Sequence, residues 1–134
     1  WKKMNQKLLK YIKTKFVKVA EDLMENPQGL KFSLEKAKEK LNKESVKDSL
    51  GNYVDDLKTL MRLLKSWVSR KYTGVATETI VYTILAIVYF VNPTDFVPDF
   101  IFGLGFMDDI AVISWVLDKI EVDLKSFKDW EKES

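Results

Sequence analysis

The chain has 134 residues, a formal net charge of +2, and 46% hydrophobic against 31% charged residues, the size and composition of one globular unit able to bury a core. It contains neither cysteine nor histidine, which removes disulfides, zinc and iron–sulfur sites and every Ser-His or Cys-His nucleophilic arrangement, and leaves oxygen ligands alone for any metal. The small net charge hides a division, because residues 1–73 carry 18 Lys+Arg against 9 Asp+Glu and residues 74–134 carry 4 against 11.

From Lys2 to Glu25, Met4, Leu8, Ile12, Phe16, Val19 and Leu23 recur at spacings of three and four, the apolar stripe of an amphipathic helix. Lys2, Lys3, Lys7, Lys10, Lys13, Lys15 and Lys18 all precede its first acid, Glu21. Such a helix either turns its stripe to a core with its lysines in water, or lies on an anionic membrane. It has no arginine and no recognised nucleic-acid motif, which disfavours nucleic acid as a partner. Asn26-Pro27-Gln28-Gly29 is expected to close it, and Ser33 to cap a short, solvent-exposed second helix through Leu34, Ala37 and Leu41. A third helix is expected from about Ser45, with Asp48 at its fourth position and Val46, Leu50, Val54, Leu57, Met61, Leu64 and Val68 on one face. Tyr53, Leu60 and Trp67 widen that face, and Gly51 either splits the helix or delays its start.

A fourth helix, about Val75 to Val91, is apolar nearly all round, so it is buried on all sides or sits in lipid. Ile80 to Val91 would span only about 18 Å against roughly 30 Å of hydrocarbon, so a lone crossing helix is not expected. Asn92-Pro93 should end it. In the connector, Asp95 is expected to cap one short turn that contains Pro98 and ends at Gly103 and Gly105. Asp108 then caps a last helix, with Asp109 in its first turn and Met107 and Val112 as a hydrophobic staple. That helix should run to about Trp130 with Ile110, Ile113, Val116 or Leu117, Ile120, Leu124 and Phe127 buried, and Glu131 to Ser134 should fray. The expected fold is all-α: a compact bundle of about five helices, with a short acidic, aromatic connector between the last two main helices.

The run Val88-Tyr89-Phe90-Val91-Asn92-Pro93-Thr94-Asp95-Phe96-Val97-Pro98-Asp99, followed by Gly103-Leu104-Gly105-Phe106-Met107-Asp108-Asp109, resembles the YkvA family of bacterial proteins, a domain of unknown function. The family pattern is roughly YxxSPxDxIPD and then LGxxDD, with Asn92 here in place of Ser and Val97 in place of Ile. The resemblance covers about Tyr72 to Trp130 and leaves residues 1–71 as amphipathic helices packed on that region within one domain. It implies a small helical, often membrane-associated protein and supplies no activity.

Three functions are compatible with these residues. The first is a non-enzymatic module that binds an anionic membrane surface or a protein partner, located in the cytoplasm or peripherally at the inner face of the membrane. Its contacts would be the seven lysines together with Phe100, Phe102 and Phe106 of the connector. In the alternative, Asp95, Asp99, Asp108 and Asp109 gather around Mg²⁺, Mn²⁺ or Ca²⁺ and activate water for phosphoester hydrolysis, although no separate base or phosphate clamp is visible. In the third, the aspartates only cap helices and the motif fixes the fold. The two arginines, Arg62 and Arg70, fall too far along the third helix to hold Asp95 or Asp99, so those two are expected to bond to backbone without an arginine. The sequence leaves oligomeric state open, and its first residue, Trp1, marks a processed chain or a piece with room for an upstream segment.

Overall fold

The helix that is apolar on every side stands at the centre of the molecule. In the computed structural model, which describes residues 6–91 and 109–133, the helices are α1 (Gln6–Met24), α2 (Pro27–Leu41), α3 (Glu44–Leu50), α4 (Tyr53–Val68), α5 (Thr77–Val91), α6 (Asp109–Lys119) and α7 (Glu121–Glu133), with no strand among the described residues. Every residue of α5 from Thr79 to Phe90 is buried, and α1, α2, α4 and α6 all contact it. Protein on several sides, in place of lipid, therefore covers this apolar surface. Its two buried threonine hydroxyls are satisfied: Thr83 Oγ1 donates to the Thr79 carbonyl at 2.8 Å, and Thr79 Oγ1 donates to the Asp123 carboxylate at the start of α7.

The central helix and α6 form a core pair. α5 lies against α6, whose Val112, Ile113 and Val116 are buried, and Leu57 and Leu64 of α4 are buried in the same cluster. Met61, placed on the same apolar face by its spacing, is only partly buried, whereas Leu63 is fully buried. The reason is that α4 touches α2, α5, α6 and α7, so its covered arc is wider than one stripe.

Several helix ends differ from expectation. The second helix starts at Pro27 and not at Ser33: the Asn26 side chain accepts from the Gly29 N–H at 3.0 Å, and proline occupies the first position, where no intrahelical N–H is needed. What reads as a stop for α1 is equally a start for α2. Nor is α2 simply solvent-exposed, because Leu30, Ala37 and Leu41 are buried. The third helix is split at Gly51, whose φ of 56° with ψ of −123° is open to glycine and closed to other residues. Its first part begins at Glu44; the Lys43 carbonyl accepts from Val46 and Lys47, both at 3.1 Å, so Ser45 is not the cap. The last helix is divided at Ile120, where two helices meet without a loop: Ile120 N–H bonds to Val116 C=O at the end of α6, and Ile120 C=O accepts from Leu124 N–H at the start of α7.

The expected fraying of the C-terminal turn does not occur over the described residues, since α7 continues to Glu133. Arg62 on α4 forks onto Glu131, Nε to Oε2 at 2.8 Å and Nη2 to Oε1 at 3.2 Å. Trp130 is held as well, 5.7 Å from the Phe127 ring and 4.9 Å from the Tyr72 ring. These breaks and extensions turn about five expected helices into seven among the described residues.

Candidate functional site

Of the seven lysines singled out on the first helix, Lys2 and Lys3 lie outside the described residues, while Lys7, Lys10, Lys13, Lys15 and Lys18 fall on α1. The lysine side chains described there, Lys10 and Lys18, are exposed. On the opposite side Ala20 is buried, and Val17, Val19, Leu23 and Met24 are partly buried against the core. Over this stretch the apolar side of α1 is occupied by α5 and α2, so what it offers outward is charge.

The acidic connector lies outside the described residues. This covers Asp95, Asp99, Asp108, Phe100, Phe102 and Phe106, with the expected cap at Asp95, the turn at Pro98, Gly103 and Gly105, the cap at Asp108 and the Met107 staple. Asp109 is the first residue of α6. Among the described residues, no group of three or more His, Cys, Asp or Glu is placed to hold a metal ion.

The two arginines are both engaged in ways the sequence did not reveal. The fork onto Glu131 raises the guanidinium pKa of Arg62 above its ordinary value, so that pair stays cationic on the arginine side. The same side chain donates to Thr59 Oγ1 at 3.2 Å. Arg70 closes α4 in the left-handed region, φ 64°: its N–H bonds to the Trp67 carbonyl at 3.1 Å, and the Lys71 N–H bonds to the Ser66 carbonyl at 2.9 Å. Immediately beyond it, Tyr72 lies edge-on to Phe127, 5.1 Å between centroids. Burial, and then the nearby Asp123 carboxylate, push the Tyr72 phenol pKa up.

A feature the sequence reading missed is a groove of about 710 Å³ between α2 and α4. Its walls carry Lys31, Lys38, Lys58 and Lys65, its floor Leu34, Leu41, Met61 and Val68, and Glu35 is the carboxylate among its lining residues. The signal was present in the spacing of those residues, but starting α2 at Ser33 left Lys31 off the helix and hid it.

The family model described as "Protein of unknown function (DUF1232)" matches residues 79–115, from α5 into α6. The Bacillus subtilis (strain 168) protein named "Uncharacterized membrane protein YkvA" is 32% identical over 77 residues, which cover 58% of this chain and 73% of that protein. No solved structure matches. Among the described residues, no helix is long and apolar enough to cross a membrane. With that much of the relative covered at that identity, and with the family model running from the central helix into α6, the chain belongs to the DUF1232, or YkvA-like, family.

Proposed function

We propose that this protein is a non-enzymatic helical module that attaches peripherally to an anionic membrane surface through the lysine side of α1. The observation that carries this reading is the arrangement of α1: its apolar side is covered from Val17 to Met24, and Lys10 and Lys18 face water in a half of the chain with twice as many basic as acidic residues. Each basic residue held near an anionic surface contributes on the order of 1 kcal/mol, so a few lysines on one helix suffice for reversible attachment. A relative whose name calls it a membrane protein, alongside described helices too short or too polar to cross, supports peripheral attachment in preference to spanning. The cytoplasmic face, rich in anionic lipid, is the surface that fits.

Co-sedimentation with vesicles tests this. Phosphatidylglycerol-containing vesicles should retain the protein at low salt, neutral phosphatidylcholine vesicles should not, and added salt should release it. Reversing Lys10→Glu and Lys18→Glu should reduce the bound fraction severalfold. Equal sedimentation with neutral and anionic vesicles would remove the proposal.

A further inference from the structure

We propose that the groove between α2 and α4 is a docking site for an amphipathic helix with acidic flanks, supplied by a partner protein. This stands apart from the membrane reading, which uses α1.

The geometry of the groove points to a helix. On α2, Lys31, Leu34, Lys38 and Leu41 follow one another at spacings of three, four and three. On α4, Lys58, Met61, Lys65 and Val68 repeat the same order of basic and apolar residues at the same spacings. Residues seven apart lie two turns apart on nearly the same face, about 10.5 Å along the axis. Each wall therefore presents one lysine and one apolar side chain every two turns, and the two walls share that period. An α-helix with apolar residues in a heptad repeat meets this floor in step, as a third strand meets two in a coiled coil. An extended peptide rises about 3.3 Å per residue with alternating sides and falls out of step.

The chemistry of the rim sets the flanks of the occupant. Lys31, Lys38, Lys58 and Lys65 are exposed and make no ion pair among the described residues. Arg62, the remaining cation in the lining, is already committed to Glu131. One carboxylate, Glu35, stands against those four lysines, so charge complementarity calls for acids beside the apolar stripe of the incoming helix. The floor separates a helix from a bilayer. Leu41 is buried and Leu34, Met61 and Val68 are half-buried between the walls, where a convex helix reaches them and a flat lipid surface meets only the rim.

The test uses the full chain, isotopically labelled, and a synthetic three-heptad peptide with leucine at the core positions and glutamate at the flanking ones. Saturable binding at low ionic strength is expected, with amide shift changes confined to α2 and α4. A scrambled peptide of the same composition, and a version with lysine in place of glutamate, should each bind at least tenfold more weakly. So should the parent peptide to the Lys38→Glu, Lys65→Glu double variant and, independently, to the Lys31→Glu, Lys58→Glu pair, all at exposed positions that leave the core intact. Equal binding of the scrambled peptide, shift changes on α1, or undiminished binding to both double variants would overturn the proposal. Two other outcomes would overturn it by naming a different occupant: self-association of the parent that either double variant abolishes assigns the groove to a second copy, and anionic-vesicle binding that both double variants abolish, with no peptide binding, assigns it to lipid.

Discussion

Lys40 Nζ donates to the main-chain carbonyl of Phe90, and its ammonium lies 4.9 Å from the centroid of the Phe90 ring. Helix α5 has no basic residue in its own last turn, so a side chain from α2 supplies both a hydrogen-bond partner for an orphan carbonyl and a positive charge at the negative end of the helix. Replacing Lys40 with Met keeps most of the apolar stem over the ring and removes the bond and the charge. The expected cost is about 1–2 kcal/mol in urea unfolding, with faster hydrogen exchange in the last turn of α5. A cost below about 0.3 kcal/mol would mean that water serves that carbonyl equally well.

Leu85 lies in the middle of α5 and is 1% exposed. Leu85→Ala should cost about 2–5 kcal/mol, the removed methyl groups plus the cavity they leave. Val122, 77% exposed on α7, is the control: Val122→Ala should change stability by no more than about 0.5 kcal/mol. A loss under about 1 kcal/mol at Leu85 would contradict the burial of α5 within the protein.

Arg70 occupies the left-handed cap position at the end of α4, where most side chains are strained by roughly 1 kcal/mol. Arg70→Gly relieves that strain and loses a charge–dipole attraction of about 0.3 kcal/mol at an exposed site, so the strain term wins. A net gain of about 0.5 kcal/mol is expected, read as a higher urea midpoint with an unchanged slope. A lower midpoint would show that the Arg70 side chain does more for the fold than its backbone costs.

Tyr72 carries a pH dependence whose sign follows from its surroundings. Burial, then the Asp123 carboxylate, hold its phenol above the ordinary pKa of 10.0 in the folded protein, so the unfolded chain ionises first. The stabilisation from a neutral Tyr72 is complete below about pH 10 and is lost as pH rises through the higher folded value. Melting temperature measured from pH 9 to pH 12 should fall more steeply in the parent than in Tyr72→Phe. Parallel curves would refute the assignment.

The central helix was legible because its signal is redundant. Ile80 to Val91 has no charge and no polar face, and such a run has to be surrounded whatever the rest of the chain does. The apolar positions of the last helix, Ile113, Val116, Ile120, Leu124 and Phe127, were legible for a related reason: their spacing at three and four holds across the division at Ile120, which bonds to both helices. Helix ends were less certain, since Asn26-Pro27 has the same letters for a stop and for a start, and only the bond from Gly29 N–H to the Asn26 side chain decides between them.

By itself the sequence determined the helical class, the need for α5 to be surrounded by apolar material, the opposed charges of the two halves and the family. Each of these depends on composition or on neighbours within a few residues. Tertiary structure alone decided which residues distant in the chain meet: Arg62 with Glu131, Lys40 with the Phe90 carbonyl, Thr79 with Asp123, and the lysines of α2 with those of α4 across one groove. The physical reason is that periodicity tells which face of a helix is covered but not which helix covers it. The partner of an exposed or half-buried polar group is set by how the helices cross, a relation between elements that no local pattern encodes.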